Sequence, residues 1–188
     1  MTSQRYIALI RGINVGRAKR VAMADLRKLI EELGYREVRS VLNSGNIVFS
    51  ADGVEPNAAA AAIEEQLVLK LGVAARVMVL GSEELATVLA ENTLLDQATD
   101  HARLLVFILG DAATRAAVAS LGERAWGSEA LAVGQRAAYV WCPEGVLASA
   151  AAGALGKALG DNTTSRNWNT LCKLYGLCNE PALAPPGA

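Results

Sequence analysis

The chain has 188 residues, 52% of them apolar and 20% charged, with 18 Lys+Arg against 19 Asp+Glu for a net charge of −1. Such a balance argues against a disordered or collagen-like polymer and leaves one domain, or two small sub-domains sharing a core. Three cysteines (Cys142, Cys172, Cys178) form no CxxC and cannot all pair with one another, which argues against a disulfide scaffold and a standard zinc site.

In chain order, the first half reads β-α-β-β-α-β. Tyr6–Ile10 is short and almost uninterruptedly apolar, the pattern of a strand buried on both faces. A glycine-containing loop, RGINVGRAKR, follows. Leu26, Leu29, Ile30 and Leu33 then recur at helical spacing, and Gly34 ends that helix. Val38–Leu42 and Ile47–Ser50 read as strands joined by the turn Asn43-Ser44-Gly45-Asn46. Pro56 suits a helix's first turn, Ile63, Leu67 and Leu71 mark its buried face, Gly72 closes it, and Arg76–Leu80 supplies a fourth strand.

The second half repeats the order. Ser82 reads as the cap of a helix through Leu85, Val88 and Leu89, and residues 92–102 read as a loop. Leu104–Leu109 is a continuous apolar strand, and Asp111 opens a helix ending near Gly122. Ala130–Val133 and Ala137–Trp141 flank Gly134-Gln135, a type II′ hairpin signal. An Ala-rich helix over 147–159 and a last helix near 166–175 follow, so a helix is expected where the fourth strand would stand. The fold expectation is therefore α+β: two ferredoxin-like (βαββαβ-type) halves packed together, the second ending in helices. The halves run over 1–81 and 82–180, and the Pro/Ala-rich tail 181–188 reads as frayed.

Charge is distributed unevenly. Residues 1–50 carry nine Lys/Arg against four carboxylates, and Arg11–Arg20 holds four cations and no acid. A flexible basic loop attracts phosphates and other anions, although an ordinary solvated loop has the same composition.

Three polar clusters stand out. The first is Arg11-Gly12-Ile13-Asn14-Val15-Gly16-Arg17, whose glycines permit close backbone approach and whose arginines can fork onto an anion. It lacks the third glycine of a dinucleotide fingerprint and the Lys-Ser/Thr of a P-loop. The second is the turn Asn43–Asn46, where Asn46 exceeds what a turn requires. The third is TTSRNWNT at 163–170. Trp168, Leu171, Cys172 and Tyr175 recur there as a packing face, with Arg166 and Asn167 in an anion-favouring first helical turn.

YIALIRGINVGRAKRVAMADLRKLIEELGY, then VRSVLNSGNIVFS, and much later TTSRNWNTLCKL, together resemble the bacterial "domain of unknown function 1697" family over roughly residues 4–177. The resemblance implies a compact α+β protein of two ferredoxin-like halves, with no activity assigned. Its pattern matches Arg11, Gly12, Asn14, Gly16, Ser44, Gly45, Asn46, Arg166, Asn167 and Trp168. Where the family reads INVGG, Arg17 stands at the second glycine.

Familiar catalytic chemistry finds little support. His101, the sole histidine, lies in a polar stretch away from every motif, and the cysteines are scattered, so no nucleophile–base pair, metal set or cofactor is indicated. Nine aromatics and a pI near 5.9 argue against an RNA-stacking sheet, leaving nucleic acid only as a backbone contact through Arg11–Arg20. The opening MTSQRYIALI lacks a signal peptide's apolar run, so a cytoplasmic protein with no membrane partner is expected. The leading expectation is one basic polar site for a small anionic or nucleotide-like ligand. Arg11 and Arg166 would supply charge, Asn14, Asn46 and Asn167 orienting amides, and Gly12 and Gly16 close approach. An enzyme acting on a phosphorylated or carboxylated metabolite, or an interaction module using the basic surface, are the alternatives.

Overall fold

Alternation decides the first sheet. In the computed structural model, which describes residues 3–17 and 19–181, β1 (Ser3–Ile10) is one of the two inner strands of a four-stranded antiparallel sheet. The sheet's other strands are β2 (Arg36–Val41), β3 (Asn46–Asp52) and β4 (Val77–Gly81), in the order β2-β3-β1-β4, so that β1 pairs with β3 and β4. Side chains two residues apart share a face. Tyr6, Ala8 and Ile10 therefore join Ile47 and Phe49 in one core with Leu26, Leu29 and Ile30 of α1 (Met23–Glu32). Ile63 and Leu67 of α2 (Pro56–Leu71) complete that core. The alternate positions Ile7, Leu9 and Val48 are also fully buried, as the uninterrupted apolar runs predict.

The aromatic rings of this sheet belong to the helix-covered core. Tyr6 and Phe49 stack with centroids 5.5 Å apart, and Tyr35 stacks on Phe49 at 4.6 Å. With Tyr6 3% and Phe49 0% exposed, neither ring can serve as a platform for a base.

The second sheet repeats the topology. β5 (Leu104–Leu109), α4 (Ala112–Gly122), β6 (Ala130–Val133), β7 (Ala137–Trp141), α5 (Ala150–Leu159) and β8 (Thr163–Asn167) give the antiparallel order β6-β7-β5-β8. Position for position, this is the first sheet again. Leu105, Phe107, Leu109, Val118, Val140 and Leu155 share its core. α3 (Ser82–Ala90) stands between the two repeats and α6 (Trp168–Cys178) ends the chain's regular structure. By packing the described residues divide into those up to Ser82 together with residues 173–181, and residues 83–172. Of the expected tail, everything after Pro181 lies outside the described residues.

Four expectations change. The missing fourth strand exists: Thr163–Asn167 pairs with β5, Val106 opposite Arg166. Thr163 and Thr164 favour extended backbone, and the Thr163 hydroxyl donates to the Ile108 carbonyl at 2.7 Å. Ser82 starts α3 directly from β4 rather than preceding it as a cap. The Ala-rich helix starts at Ala150 instead of 147, because Ser149 caps it by accepting from Ala152 N at 3.0 Å. The β6–β7 reversal has no positive φ and so is not type II′. There the Glu91 carboxylate accepts from Gln135 N at 2.8 Å, and a Cβ at residue 134 would stand 2.5 Å from Glu91 Oε2. Gly134 is a close-approach glycine.

The last helix also presents a different face. Trp168, Leu171, Leu174 and Cys178 are buried, whereas Cys172 is exposed and Tyr175 half-buried. The helix runs to Cys178, beyond the expected end near residue 175.

Candidate functional site

Between β1 and α1, four of the described loop residues take left-handed backbone: Gly12 (φ 69°), Asn14 (φ 57°), Gly16 (φ 62°) and Lys19 (φ 49°). Among non-glycine residues Asn tolerates this region best. Asn14 then closes the loop with its side chain. Its Oδ1 accepts from Val21 N at 2.9 Å, while Nδ2 donates to Val21 O at 2.8 Å and to Asn43 O at 2.7 Å. Its backbone N–H donates to Lys19 O at 3.1 Å. One side chain thus holds both ends of the basic segment and fastens it to the β2–β3 turn.

That turn is packed from beneath. Ile10 N donates to Gly45 O at 2.8 Å, and a Cβ on Gly45 would meet Ile13 Cδ1 at 2.9 Å and the Ile10 carbonyl at 3.0 Å. Gly45 (φ 78°) therefore satisfies both a backbone and a space requirement. Asn46 is fully buried, donating to Val41 O at 3.0 Å and Ser44 Oγ at 2.9 Å, so its amide stabilises the hairpin from inside. Gly12 and Gly16 face open space on the side where a Cβ would project.

The loop and the turn enclose an open concavity of about 590 Å³ lined by Asn14, Arg20, Val21, Ala22, Met23 and Asn43. Arg20 is exposed and anchored by donation to Gly16 O at 2.5 Å. Ala22 precedes α1 in extended conformation, and no side chain caps the helix. The first-turn N–H groups have no intrahelical acceptor and carry the positive end of the helix dipole. Asp25 is the one acidic residue in that turn. The arrangement offers hydrogen-bond donors and positive charge to a small polyatomic anion.

Arg11 leaves β1 half-buried, its backbone N–H donating to Arg76 O at 2.8 Å. Arg20, Val21 and Asn43 were not singled out as site residues from sequence. The readable signal is the terminal cation of the basic run, six residues from the asparagine with which it lines the concavity.

Arg166, Asn167 and Trp168 belong to residues 83–172, whereas the loop and turn belong to the first unit. Arg166 lies in β8, not in a helical first turn, and donates from Nη1 to Thr164 Oγ1 and Ser165 O, both at 2.8 Å. Burial pushes its pKa down to about 10. Asn167 caps α6, with Oδ1 accepting from Thr170 N at 2.9 Å and from the Thr170 hydroxyl at 2.8 Å. Trp168 is buried.

The cysteines offer no activated thiol. Burial raises the pKa of Cys142 and Cys178, that of Cys178 to about 11 despite the opposing charge effect of Arg5, and partial desolvation raises that of the exposed Cys172. His101 sits in a single 3₁₀ turn capped by Asp100, whose Oδ1 accepts from Ala102 N at 3.0 Å. Among the described residues no three His, Cys, Asp or Glu are grouped to hold a metal, and no helix is long and apolar enough to cross a membrane.

Comparison with known proteins fits this architecture. The conserved bacterial protein SP0830 from Streptococcus pneumoniae is 25% identical and superposes with a TM-score of 0.76, over 95% of this chain and 100% of that one. No curated protein matches the chain. The family model described as "Protein of unknown function (DUF1697)" matches residues 3–139, and the chain belongs to that family.

Proposed function

We propose that this protein binds a small anionic ligand at the concavity between the β1–α1 loop and the β2–β3 turn. One observation carries the reading: Arg20 and the start of α1, which has no side-chain cap, line the same opening. An anion there would accept from first-turn amides and meet a cation able to fork onto two of its oxygens. Arg17 and Lys19, both exposed, add to the attracting field. Asn14 acts as a positioning residue, because its amide hydrogens are engaged in holding the loop.

Titration with inorganic phosphate, followed by calorimetry or by melting temperature, tests the reading. Arg20→Ala should weaken binding at least fivefold, roughly the loss of one charge-assisted hydrogen bond. Asp25→Asn should tighten it, by removing a competing negative charge from the same helical turn. Equal phosphate affinity in wild type and Arg20→Ala would refute the assignment.

A further inference from the structure

We infer that the last turn of α6 is a salt-sensitive strap, held shut by the Arg39–Glu180 ion pair over a buried polar cluster of the first sheet. It opens without unfolding the rest of that unit. The inference is independent of the anion reading above.

The cluster follows from the strand register. Arg5 of β1 stands opposite Ser50 of β3, one step from the Tyr6–Phe49 pair, so both project from the face that α1 and α2 do not cover. In β2 the pairing slips between Arg36 and Arg39, and Glu37 within that bulge takes left-handed backbone, φ 52°. A bulge re-aims the side chain it carries. The Glu37 carboxylate accepts from the Ser50 hydroxyl at 2.7 Å and pairs with Arg5 Nη2 at 3.3 Å. Ser50 is 2% exposed and the Arg5 side chain 12%.

Residues 173–181 pack in the same unit as this sheet. Cys178 is buried, and the Arg5 charge acts on its thiol. Two residues on, Glu180 pairs with Arg39 of β2 at 2.6 Å.

Three features leave the closed turn weakly held. After Leu174, a single small side chain, Cys178, is buried. Segments with few buried apolar contacts open at a lower free energy than the whole fold. The ion pair is 26% and 48% exposed, so added salt screens it. Closure also leaves Arg5 Nη1 buried with no hydrogen-bond acceptor among the described residues. Opening the turn beside it lets water reach that donor, which offsets part of the cost.

Alkylation of Cys178 by iodoacetamide reads the opening, in the full chain carrying Cys172→Ser to remove the exposed thiol. Cys142, 1% exposed, and Ala59→Cys, at a fully buried position of the first unit, report deeper unfolding. Cys178 is expected to react at least about tenfold faster than either, once each rate is divided by that of the unfolded chain. Glu180→Gln should speed Cys178 by about two- to fivefold, the effect of losing an exposed ion pair, and Arg39→Gln should do the same. The double variant should gain nothing over either single one. Sodium chloride at about 0.5 M should speed Cys178 by a like factor in the parent chain and leave the double variant unchanged.

Equal rates at Cys178 and at Ala59→Cys would show that the turn opens only with the whole unit, and would overturn the inference. So would a Cys178 rate indifferent to Glu180→Gln. A rate raised together with that of Cys142 would make the variant a general destabiliser, and would overturn it as well.

Discussion

Asn14 donates from its side-chain amide to the backbone carbonyl of Asn43 at 2.7 Å, joining two segments that lie 29 residues apart in sequence. Every hydrogen-bonding group of that amide is used, the other two contacts being to the N–H and carbonyl of Val21. Asn14→Ala should therefore destabilise the protein by about 2–4 kcal/mol, combining three lost bonds with the strain of a left-handed alanine. Asn14→Gly restores the backbone freedom and should recover about 1 kcal/mol of this loss. Urea unfolding midpoints at constant slope measure both. A cost below about 0.5 kcal/mol for Asn14→Ala would show that the loop is held by something else.

Two left-handed glycines should respond differently to the same substitution. Gly12→Ala meets open space, so its cost is backbone strain alone, about 1 kcal/mol. Gly45→Ala adds a collision with Ile13 and with the Ile10 backbone, and should cost at least about 2 kcal/mol. Equal losses in melting temperature would contradict the close packing of the turn on the loop.

Much of the architecture is legible because the inner strands carry continuous apolar runs, YIALI in β1 and LLVFIL in β5. Leu104–Leu109 is bounded as its composition predicts, and Asp111 caps α4 through Thr114 N at 2.7 Å. β8 was not legible: TTSRN is polar, and its neighbours Arg166 and Asn167 read as well at a helix start. Only pairing along β5, more than fifty residues away, makes it a strand. For the site, the sequence shows the basic run and the turn residues but not their junction, since nothing local tells that Asn14 reaches Asn43. Nor does it show that Asn46 points into the hairpin; an asparagine beginning a strand looks the same whether its amide is buried or offered to a ligand.

Acid should weaken the cap of α4 in a predictable direction. The Asp111 carboxylate is held below its ordinary value of 3.8, first by its hydrogen bond from the Thr114 hydroxyl and then by that from the Thr114 backbone N–H. A depressed folded-state pKa means stability that is fully present above the unfolded value and lost as pH falls through the folded one. Asp111→Asn keeps a capping oxygen without a titrating proton. Its stability should decline less steeply than wild type below pH 3.8, where the two curves would otherwise run parallel. Parallel curves across that range would show that the cap does not depend on charge.

The account depends most on anion binding at the start of α1. Amide chemical shifts followed during titration with inorganic phosphate test this residue by residue. The prediction is a saturable response centred on the amides of Val21 to Asp25 and on Asn43, abolished in Arg20→Ala, with the α5 and β8 amides unmoved. No saturable response, or one centred away from these residues and insensitive to Arg20, would contradict it.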